Sequence, residues 1–184
     1  MEMFPFPDRS ACITELKLDR FFSRIPTQDH EKILNAAWQR GEQAAEDFFG
    51  SGPVDIRQAM QAVGLQIEEL DQDMVIGGTR YFAEIYVKAK KVNVYLTAVA
   101  LWAQHNCLPL AQAEELLLAH EFFHYLEHTA LPPARDVYQV PSLKLFGRTL
   151  LRSGLRCVSE IGAHSFANAY WKRITKADPP VDKF

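Results

Sequence analysis

The pattern that most constrains this chain is His-Glu-x-x-His, which spans residues 120–124. It ends an uninterrupted run of good helix formers, residues 111–119, that contains neither glycine nor proline. On a helix, side chains four positions apart project in nearly the same direction, at about 100° per residue. His120 and His124 are therefore expected to share one face and to reach a single metal ion. Glu121 would then flank the ion without having to bind it.

These residue types in this spacing predict a zinc centre of the hydrolytic kind. A carboxylate beside the ion can act as general base toward a water molecule that attacks a peptide carbonyl. Chance alone gives the pattern about 0.01 times in a chain with six histidines and this glutamate content. We therefore predict His120 and His124 as ligands and Glu121 as the catalytic base. The alternative is a partly exposed helix that carries two incidental histidines.

A catalytic zinc site usually has three protein ligands plus a water, so a third ligand is sought downstream. The candidates are His128, Glu160 and His164. His128 extends the same helix by one turn, and a straight helix cannot wrap three successive i, i+4 side chains around one tetrahedral ion. The HExxHxxGxxH pattern turns the chain at a glycine, but Glu127 takes that position here. His128 is better explained as a polar residue near the helix end, where its charge suits the dipole.

Glu160 is a lone acid in residues 157–170, where apolar residues recur at helical spacing. It could be a metal ligand or a solvated carboxylate on a helix face. The combination of HExxH, a gap of 35 residues and then Glu-x-x-Ala-His-x-Phe-Ala resembles the ImmA/IrrE family of small gluzincins, whose downstream helix reads approximately ExxANxFA. The resemblance implies that His120, His124 and Glu160 are the zinc ligands and that Glu121 is the catalytic base.

The resemblance covers about residues 52–174, with the two motifs carrying nearly all of its specificity. It implies an α+β, zincin-like fold, a minimal gluzincin domain in which a small antiparallel or mixed sheet packs against the HExxH helix and a second helix with the glutamate ligand. It also implies an intracellular zinc endopeptidase whose polypeptide partner is a regulatory protein such as a transcriptional repressor. One alternative is a catalytically weak or inactive zinc-stabilised domain that binds a partner. Another is a zinc-free helical binding module.

His164 occupies the position at which the family usually has asparagine, four residues after Glu160. This spacing places the two side chains on the same face of the helix. A neutral His164 could accept a hydrogen bond from a zinc-ligating imidazole and so orient it. It could also donate to the transition state, or be an ordinary core or surface histidine.

The segment between the two motifs, residues 129–142, is rich in proline and is predicted to be a loop beside the metal. Loops next to active sites often gate or select substrates. Arg135 and Tyr138 are therefore candidates for substrate contact or for hydrogen bonding to the developing oxyanion. The alternative is a connector that its prolines merely stiffen.

Two parts of the chain are predicted, an N-terminal extension with one helix (residues 1–51) and a metallopeptidase domain (residues 52–184). The helix of the extension is expected to begin near Thr27 or Asp29 and to end at a Gly-Ser-Gly-Pro segment. Residues 1–26 contain four phenylalanines without a clear period. They could pack on the domain, cover the cleft or be partly disordered.

A short helix followed by a strand is predicted over residues 52–67. A Gly-Gly turn is expected at residues 77–78. After it, residues 80–88 and 91–97 each show a period-two alternation that includes Val, Ile and Tyr, and together they predict an antiparallel hairpin. Zincins bind peptides as an additional strand on the sheet edge that borders the cleft. Residues 80–88 could form that edge, or their aromatic side chains could simply pack against the helices.

Composition narrows the class of partner. A net charge of −3 and a pI near 6.1, without a long Lys/Arg run, predict no nucleic-acid binding by this chain alone.

The three cysteines are scattered and form no CxxC pair, which favours a reduced, cytoplasmic protein. No signal peptide is expected, because Glu2 and early prolines replace a basic and apolar leader. The apolar residues 92–103 are too few to span a membrane.

Overall fold

A computed structural model of the chain describes residues 5–51, 55–146 and 148–177. The helices are α1 (Ile13–Leu18), α2 (His30–Ser51), α3 (Ile56–Ala62), α4 (Leu96–His105), α5 (Leu110–Thr129) and α6 (Cys157–Ala177). The strands are β1 (Gln66–Leu70), β2 (Met74–Ile76), β3 (Thr79–Tyr81), β4 (Ala83–Tyr86), β5 (Lys91–Tyr95), β6 (Gln139–Leu145) and β7 (Arg148–Gly154). Single 3-10 turns lie at Phe22–Arg24, Thr27–Asp29, Val87–Ala89 and Ala134–Asp136. The predicted mixed α+β class is confirmed.

A three-stranded mixed sheet has the order β1-β5-β4. β5 is its central strand, parallel to β1 and antiparallel to β4, and buries Val92, Val94 and Tyr95. The predicted hairpin is therefore confirmed where residues 83–86 pair with residues 91–94. In the part of the chain that the structure describes, β4 has no strand on its other side and is an edge.

The predicted strand over residues 80–88 is wrong at both ends. At its start, Arg80 and Tyr81 belong to β3, which pairs with β2 and not with β5. Gly77 and Gly78 close this second hairpin with φ of 59° and 84°, the positive values that a two-residue hairpin turn requires. At its end, residues 87–89 form a 3-10 turn. The extended segment is thus shared between two small sheets.

Helix α6 lies between α2 and α5 and packs closely on both. Two glycines permit this approach. A Cβ atom on Gly41 of α2 would lie 2.2 Å from the carbonyl oxygen of Gly162 and 2.6 Å from Cβ of Ser165. A Cβ atom on Gly162 would lie 2.5 Å from Cζ of Phe123 on α5. The three helix backbones therefore approach at positions that only glycine can occupy.

The N-terminal extension is packed along α6. A smaller hydrophobic core joins residues of α1, the first half of α2 and the start of α6, among them Leu16, Ile33 and Ile161. Helix α2 is present where the helix of the extension was predicted, but α1 is a second, short helix in the same region, so the prediction of one helix is incomplete. Helix α2 also supplies Ala44 and Ala45 to a larger hydrophobic core, which is shared with α3, α5 and β5. The short helix α3 and strand β1 are likewise confirmed within the predicted region. Its residues 52–54 lie outside the described residues.

The prediction of a loop over residues 129–142 is wrong for its last four residues. From Gln139 the chain enters β6, which forms an antiparallel hairpin with β7. Pro141 and a register shift after it break the period-two pattern that would have revealed the strand. Large apolar side chains on this hairpin are also exposed, namely Leu143, Leu145, Phe146, Leu150 and Leu151.

Among the described residues, no helix combines the length and the apolar character that crossing a bilayer requires.

Replacing Gly41 with alanine should lower the free energy of unfolding by about 1–3 kcal/mol, because the new methyl group would collide with the backbone of α6. This result is expected even though alanine has the higher helix propensity. Urea denaturation followed by circular dichroism measures the change.

Gly50 supplies the matched control, because it lies in the same helix and a Cβ atom there would meet nothing within 4 Å. Gly50→Ala should leave the stability unchanged or raise it slightly. Equal effects of the two substitutions would contradict the close approach of α2 and α6.

Candidate metal centre

Helices α5 and α6 bring together the three predicted ligands. Helix α5 presents His120 and His124 on the face toward α6, and Glu160 faces them from the first turn of α6. The Nε2 atoms of the two histidines are 3.2 Å apart. Oε2 of Glu160 lies 3.5 Å from Nε2 of His120 and 3.8 Å from Nε2 of His124. The structure thus contains a His-His-Glu group that could hold a metal ion.

The spacing of these donor atoms fits an ion of the size of zinc. With ligand bonds of about 2.0–2.1 Å, two donors at corners of a tetrahedron are about 3.3–3.4 Å apart. The observed separations of 3.2, 3.5 and 3.8 Å lie close to this value. Two imidazole nitrogens and a carboxylate oxygen are also donors that zinc accepts at catalytic sites.

The protonation states of His120 and Glu160 also suit a metal. Burial lowers the pKa of His120 to about 4, so its imidazole is neutral near pH 7. Burial opposes ionisation of Glu160, but its hydrogen bond with His120 and the nearby imidazoles lower its pKa to about 2. Both side chains are therefore deprotonated, as ligation requires.

Behind His124 lies a chain of hydrogen-bonded side chains that was not predicted from the sequence. Nδ1 of His124 is 3.1 Å from Oγ of Ser159, and the Ser159 hydroxyl donates to Glu127. Arg40 of α2 also donates to Glu127, so the carboxylate is held from two sides. The only relevant signal in the sequence was local, a glutamate three residues after the second motif histidine and a serine just before Glu160.

This chain of hydrogen bonds fixes the tautomer of His124. Ser159 has a single hydroxyl proton, which it gives to the acceptor-only carboxylate of Glu127. Nδ1–H of His124 must then be the donor to Ser159, which leaves the lone pair of Nε2 facing Glu160. Outer hydrogen bonds of this kind orient metal ligands and raise their basicity.

His164 lies next to a predicted ligand, as its spacing from Glu160 indicated. Its ring centroid is 5.1 Å from that of His120, with an interplanar angle of 47°. The expected hydrogen bond is not formed, because Nδ1 of His164 and Nδ1 of His120 are both buried without a partner among the described residues. Nε2 of His164 lies 3.9 Å from Oε1 of Glu15 in α1. The two imidazole rings contact each other without a hydrogen bond between them. The role of His164 in orienting His120 stays a prediction.

Glu121 lies on the side of α5 that faces the mixed sheet. Burial raises the pKa of its carboxyl to about 7, although the nearby His124 and a hydrogen bond from the backbone of Ile85 oppose this rise. Ile85 belongs to the edge strand β4. The predicted base and the open edge of the sheet are therefore neighbours.

Arg135 and Tyr138 are turned to other partners. The Tyr138 hydroxyl donates to Oδ2 of Asp29 at 2.6 Å, and its ring packs on the smaller core. The side chain of Arg135 is exposed, and its nearest carboxylate is that of its neighbour Asp136 at 3.9 Å. Among the described residues, neither makes a polar contact with the triad of His120, His124 and Glu160, so their role as substrate contacts stays a prediction. His128 is exposed near the end of α5 and is not part of the triad.

A cleft of about 260 Å³ opens beside Glu160. Helix α1 and the residues just after it form one wall, and the start of α6 forms the other. The lining residues are Glu15, Leu18, Asp19, Arg20, Arg156, Cys157 and Glu160. The side chain of Glu160 is 40% exposed, so the triad is open to solvent on this side.

Comparisons of the chain with protein-family models, with curated proteins and with solved structures each returned no match.

The purified protein should bind one Zn²⁺ per chain, and His120→Ala or Glu160→Ala should abolish tight binding. Zinc at about 100 times its Kd should raise the free energy of unfolding by about 2.7 kcal/mol, because the ion binds only the folded chain. Elemental analysis and thermal unfolding with and without a chelator measure the two effects.

His128→Ala is the matched control, since His128 lies one turn beyond His124 on the same helix. It should leave stoichiometry and affinity unchanged. Loss of zinc in His128→Ala with full retention in Glu160→Ala would show that the third ligand is wrongly assigned.

Ser159→Ala should weaken zinc binding by about 10–100-fold, because the ring of His124 loses the acceptor that orients it. Ser159→Thr keeps the hydroxyl and should retain most of the affinity. Competition with a chelator measures affinity, and ¹⁵N NMR of His124 reports its tautomer. A neutral His124 in the zinc-free protein that carries its single proton on Nε2, and none on Nδ1, would contradict the hydrogen-bond chain.

Proposed function

We propose that this chain is a zinc-dependent endopeptidase of the small gluzincin type, related to the ImmA/IrrE family. In this proposal the mixed sheet, α5 and α6 form a zincin-like catalytic unit. The observation that carries it is the position of Glu121, a carboxylate beside the His-His-Glu group but outside it. A purely structural zinc site needs no such base and normally fills its fourth position with another protein ligand.

In this mechanism His120, His124 and Glu160 hold the ion. When bound, zinc supplies a Lewis acid that polarises the scissile carbonyl and favours ionisation of water. Glu121 accepts a proton from the attacking water on a carboxylate oxygen and passes it to the leaving amine nitrogen as the C–N bond breaks. A carboxyl group whose pKa is raised toward 7 by burial is suited to both transfers.

The edge strand β4 supplies the surface on which the polypeptide would lie. Its open side can pair with the backbone of an extended peptide, which would add a strand to the sheet. Ile85 of β4 contacts Glu121 through its backbone, so a peptide on this edge would pass beside the base. Hydrogen bonds between the peptide backbone and the backbone of β4 would then provide affinity, and pockets for the peptide's side chains would provide selectivity.

The resemblance extends the proposal to the target, a regulatory polypeptide such as a transcriptional repressor. A cytoplasmic location belongs to the same proposal. It is supported by Cys12, Cys107 and Cys157, which are free thiols, as expected in a reducing compartment.

A second candidate function is a zinc-stabilised domain that binds a partner protein without cutting it. The β6–β7 hairpin favours this candidate, because it exposes large apolar side chains, with Phe146 96% exposed. Exposed apolar patches of this kind mark sites of association. Glu121 separates the two candidates, since partner binding does not require it.

Glu121→Gln should retain zinc and lose peptidase activity by about 10²–10⁴-fold, because an amide of the same shape cannot accept the proton from water. Cleavage of a diverse peptide and protein library by zinc-loaded protein, read by mass spectrometry, measures the activity. Casein alone is insufficient, because a protease of narrow specificity can ignore it.

Glu115→Gln is the matched control, because Glu115 lies on the same helix but faces Asp55 and Arg57. Its activity should equal that of the wild type. A zinc-loaded wild type that cleaves no member of the library would favour the partner-binding domain instead.

A further inference from the structure

Phe6, in the N-terminal extension, is seated against the candidate metal centre. Its ring lies nearly parallel to that of His120, with centroids 5.4 Å apart and an interplanar angle of 21°. It also contacts His164 at 5.2 Å and Trp102 at 5.1 Å. The three walls of this aromatic pocket thus come from α5, α6 and α4, whereas the occupant comes from a separate part of the chain.

The aromatic rings that line this pocket favour another aromatic ring as its occupant. Aromatic rings attract one another at centroid separations of about 4.5–7 Å, and all three contacts of Phe6 lie in this range. Trp102 is backed by Phe82 at 5.8 Å, which extends the apolar wall toward the start of β4. An aromatic side chain would fit here next to a ligand imidazole and close to the edge on which a peptide would pair.

We propose that the aromatic pocket is a subsite for an aromatic side chain of a polypeptide substrate, and that Phe6 fills it in cis as a competitor. The proposal rests on the proposed function, because the pocket adjoins the same metal centre. It names the substrate class as polypeptides with an aromatic residue near the cleaved bond. It also explains why a phenylalanine of the N-terminal extension packs against the candidate metal centre.

The sequence around Phe6 suits a competitor that is not itself cut. Phe6 is flanked by Pro5 and Pro7. Proline has no backbone N–H and a fixed φ, so the segment cannot pair regularly along the β4 edge as a substrate would. Phe6 can therefore fill the pocket while its neighbouring peptide bonds stay out of register with Glu121.

The attachment of the segment makes the competition reversible. Cys12 and Leu16 are fully buried and anchor the extension, so Phe6 is held at a high effective concentration. Between these anchors and Phe6, Arg9 contacts Asn35 at 2.7 Å and Glu31 at 2.8 Å on the surface of α2. Exposed ion pairs of this kind are weak, but Asp8 stays tied to the start of α1, because it accepts hydrogen bonds from the backbone N–H groups of Ala11 and Cys12. The part that can lift while α1 stays docked is therefore residues 5–7, which include Phe6.

Phe6→Ala in the zinc-loaded full chain tests the proposal without relying on hydrolysis. The probe is a capped peptide that copies residues 5–9, Pro-Phe-Pro-Asp-Arg, and a second peptide has alanine in place of its phenylalanine. The indole N–H resonance of Trp102 reports binding by NMR. The Phe6→Ala variant should bind the phenylalanine peptide on the order of tenfold more tightly than the alanine peptide, as burial of one aromatic side chain predicts. The wild type should bind it on the order of tenfold more weakly than the variant.

Phe22→Ala is the matched control, because Phe22 belongs to the same extension but contacts His30 at 5.0 Å, away from the triad. It should behave as the wild type. Phe6→Leu, which keeps an apolar side chain, serves if Phe6→Ala fails to fold. Equal binding of both peptides, or no shift of the Trp102 resonance, would overturn the aromatic subsite.

The peptide-binding and cleavage experiments distinguish a failure of the aromatic subsite from a failure of the proposed peptidase function. If the chain binds the phenylalanine peptide but cleaves nothing in the library, the subsite stands and the peptidase assignment fails. If the chain cleaves polypeptides without preference for aromatic residues, and Phe6→Ala leaves both the rate and the cleavage sites unchanged, the peptidase stands and the subsite is overturned.

Discussion

The contact between α5 and α6 at Phe123 and Gly162 is the constraint on which the candidate site depends. Phe123 immediately precedes His124, and Gly162 follows Glu160 by two residues. The ring of Phe123 occupies the space that a side chain on residue 162 would take, so the helices approach closely where the donors face each other. Because protein cores are close-packed, this contact tolerates little variation in distance. The donor separations are therefore a consequence of how the core packs.

Electrostatics gives the same region its preference for a cation. Three carboxylates, Glu121, Glu127 and Glu160, surround two neighbouring imidazoles. Among the lysines and arginines that the structure describes, Arg40 alone makes an ion pair with one of these carboxylates, that of Glu127. Burial alone disfavours the charged form of His124, but the nearby carboxylates of Glu127, Glu160 and Glu121 outweigh this effect and raise its pKa. A divalent ion would satisfy the same negative charge more completely than a proton, and metal binding would then displace that proton.

The parts of the site that follow helical periodicity could be predicted from the sequence. The i, i+4 spacing of the histidines and the position of Glu160 in a second helix are local patterns, and the structure brings these residues together. The contacts of Arg40 with Glu127 and of Tyr138 with Asp29 join residues 87 and 109 positions apart. No local pattern encodes such pairs, because they depend on how whole helices pack. The β6–β7 hairpin was missed for a different reason, since proline and a bulge hide its alternation.

The N-terminal extension completes the site because its first helix is tied to α6. Asp19, just after α1, accepts a hydrogen bond at 3.1 Å from the backbone N–H of Cys157, the first residue of α6. A carboxylate at this end of a helix is favoured by the exposed N–H groups and by the helix dipole. The same contact holds α1 as the wall of the cleft beside Glu160, with Glu15 facing His164. Access to the triad is therefore set by residues that lie about 90 or more positions before α5 and α6 in the chain and that fold as part of the same core.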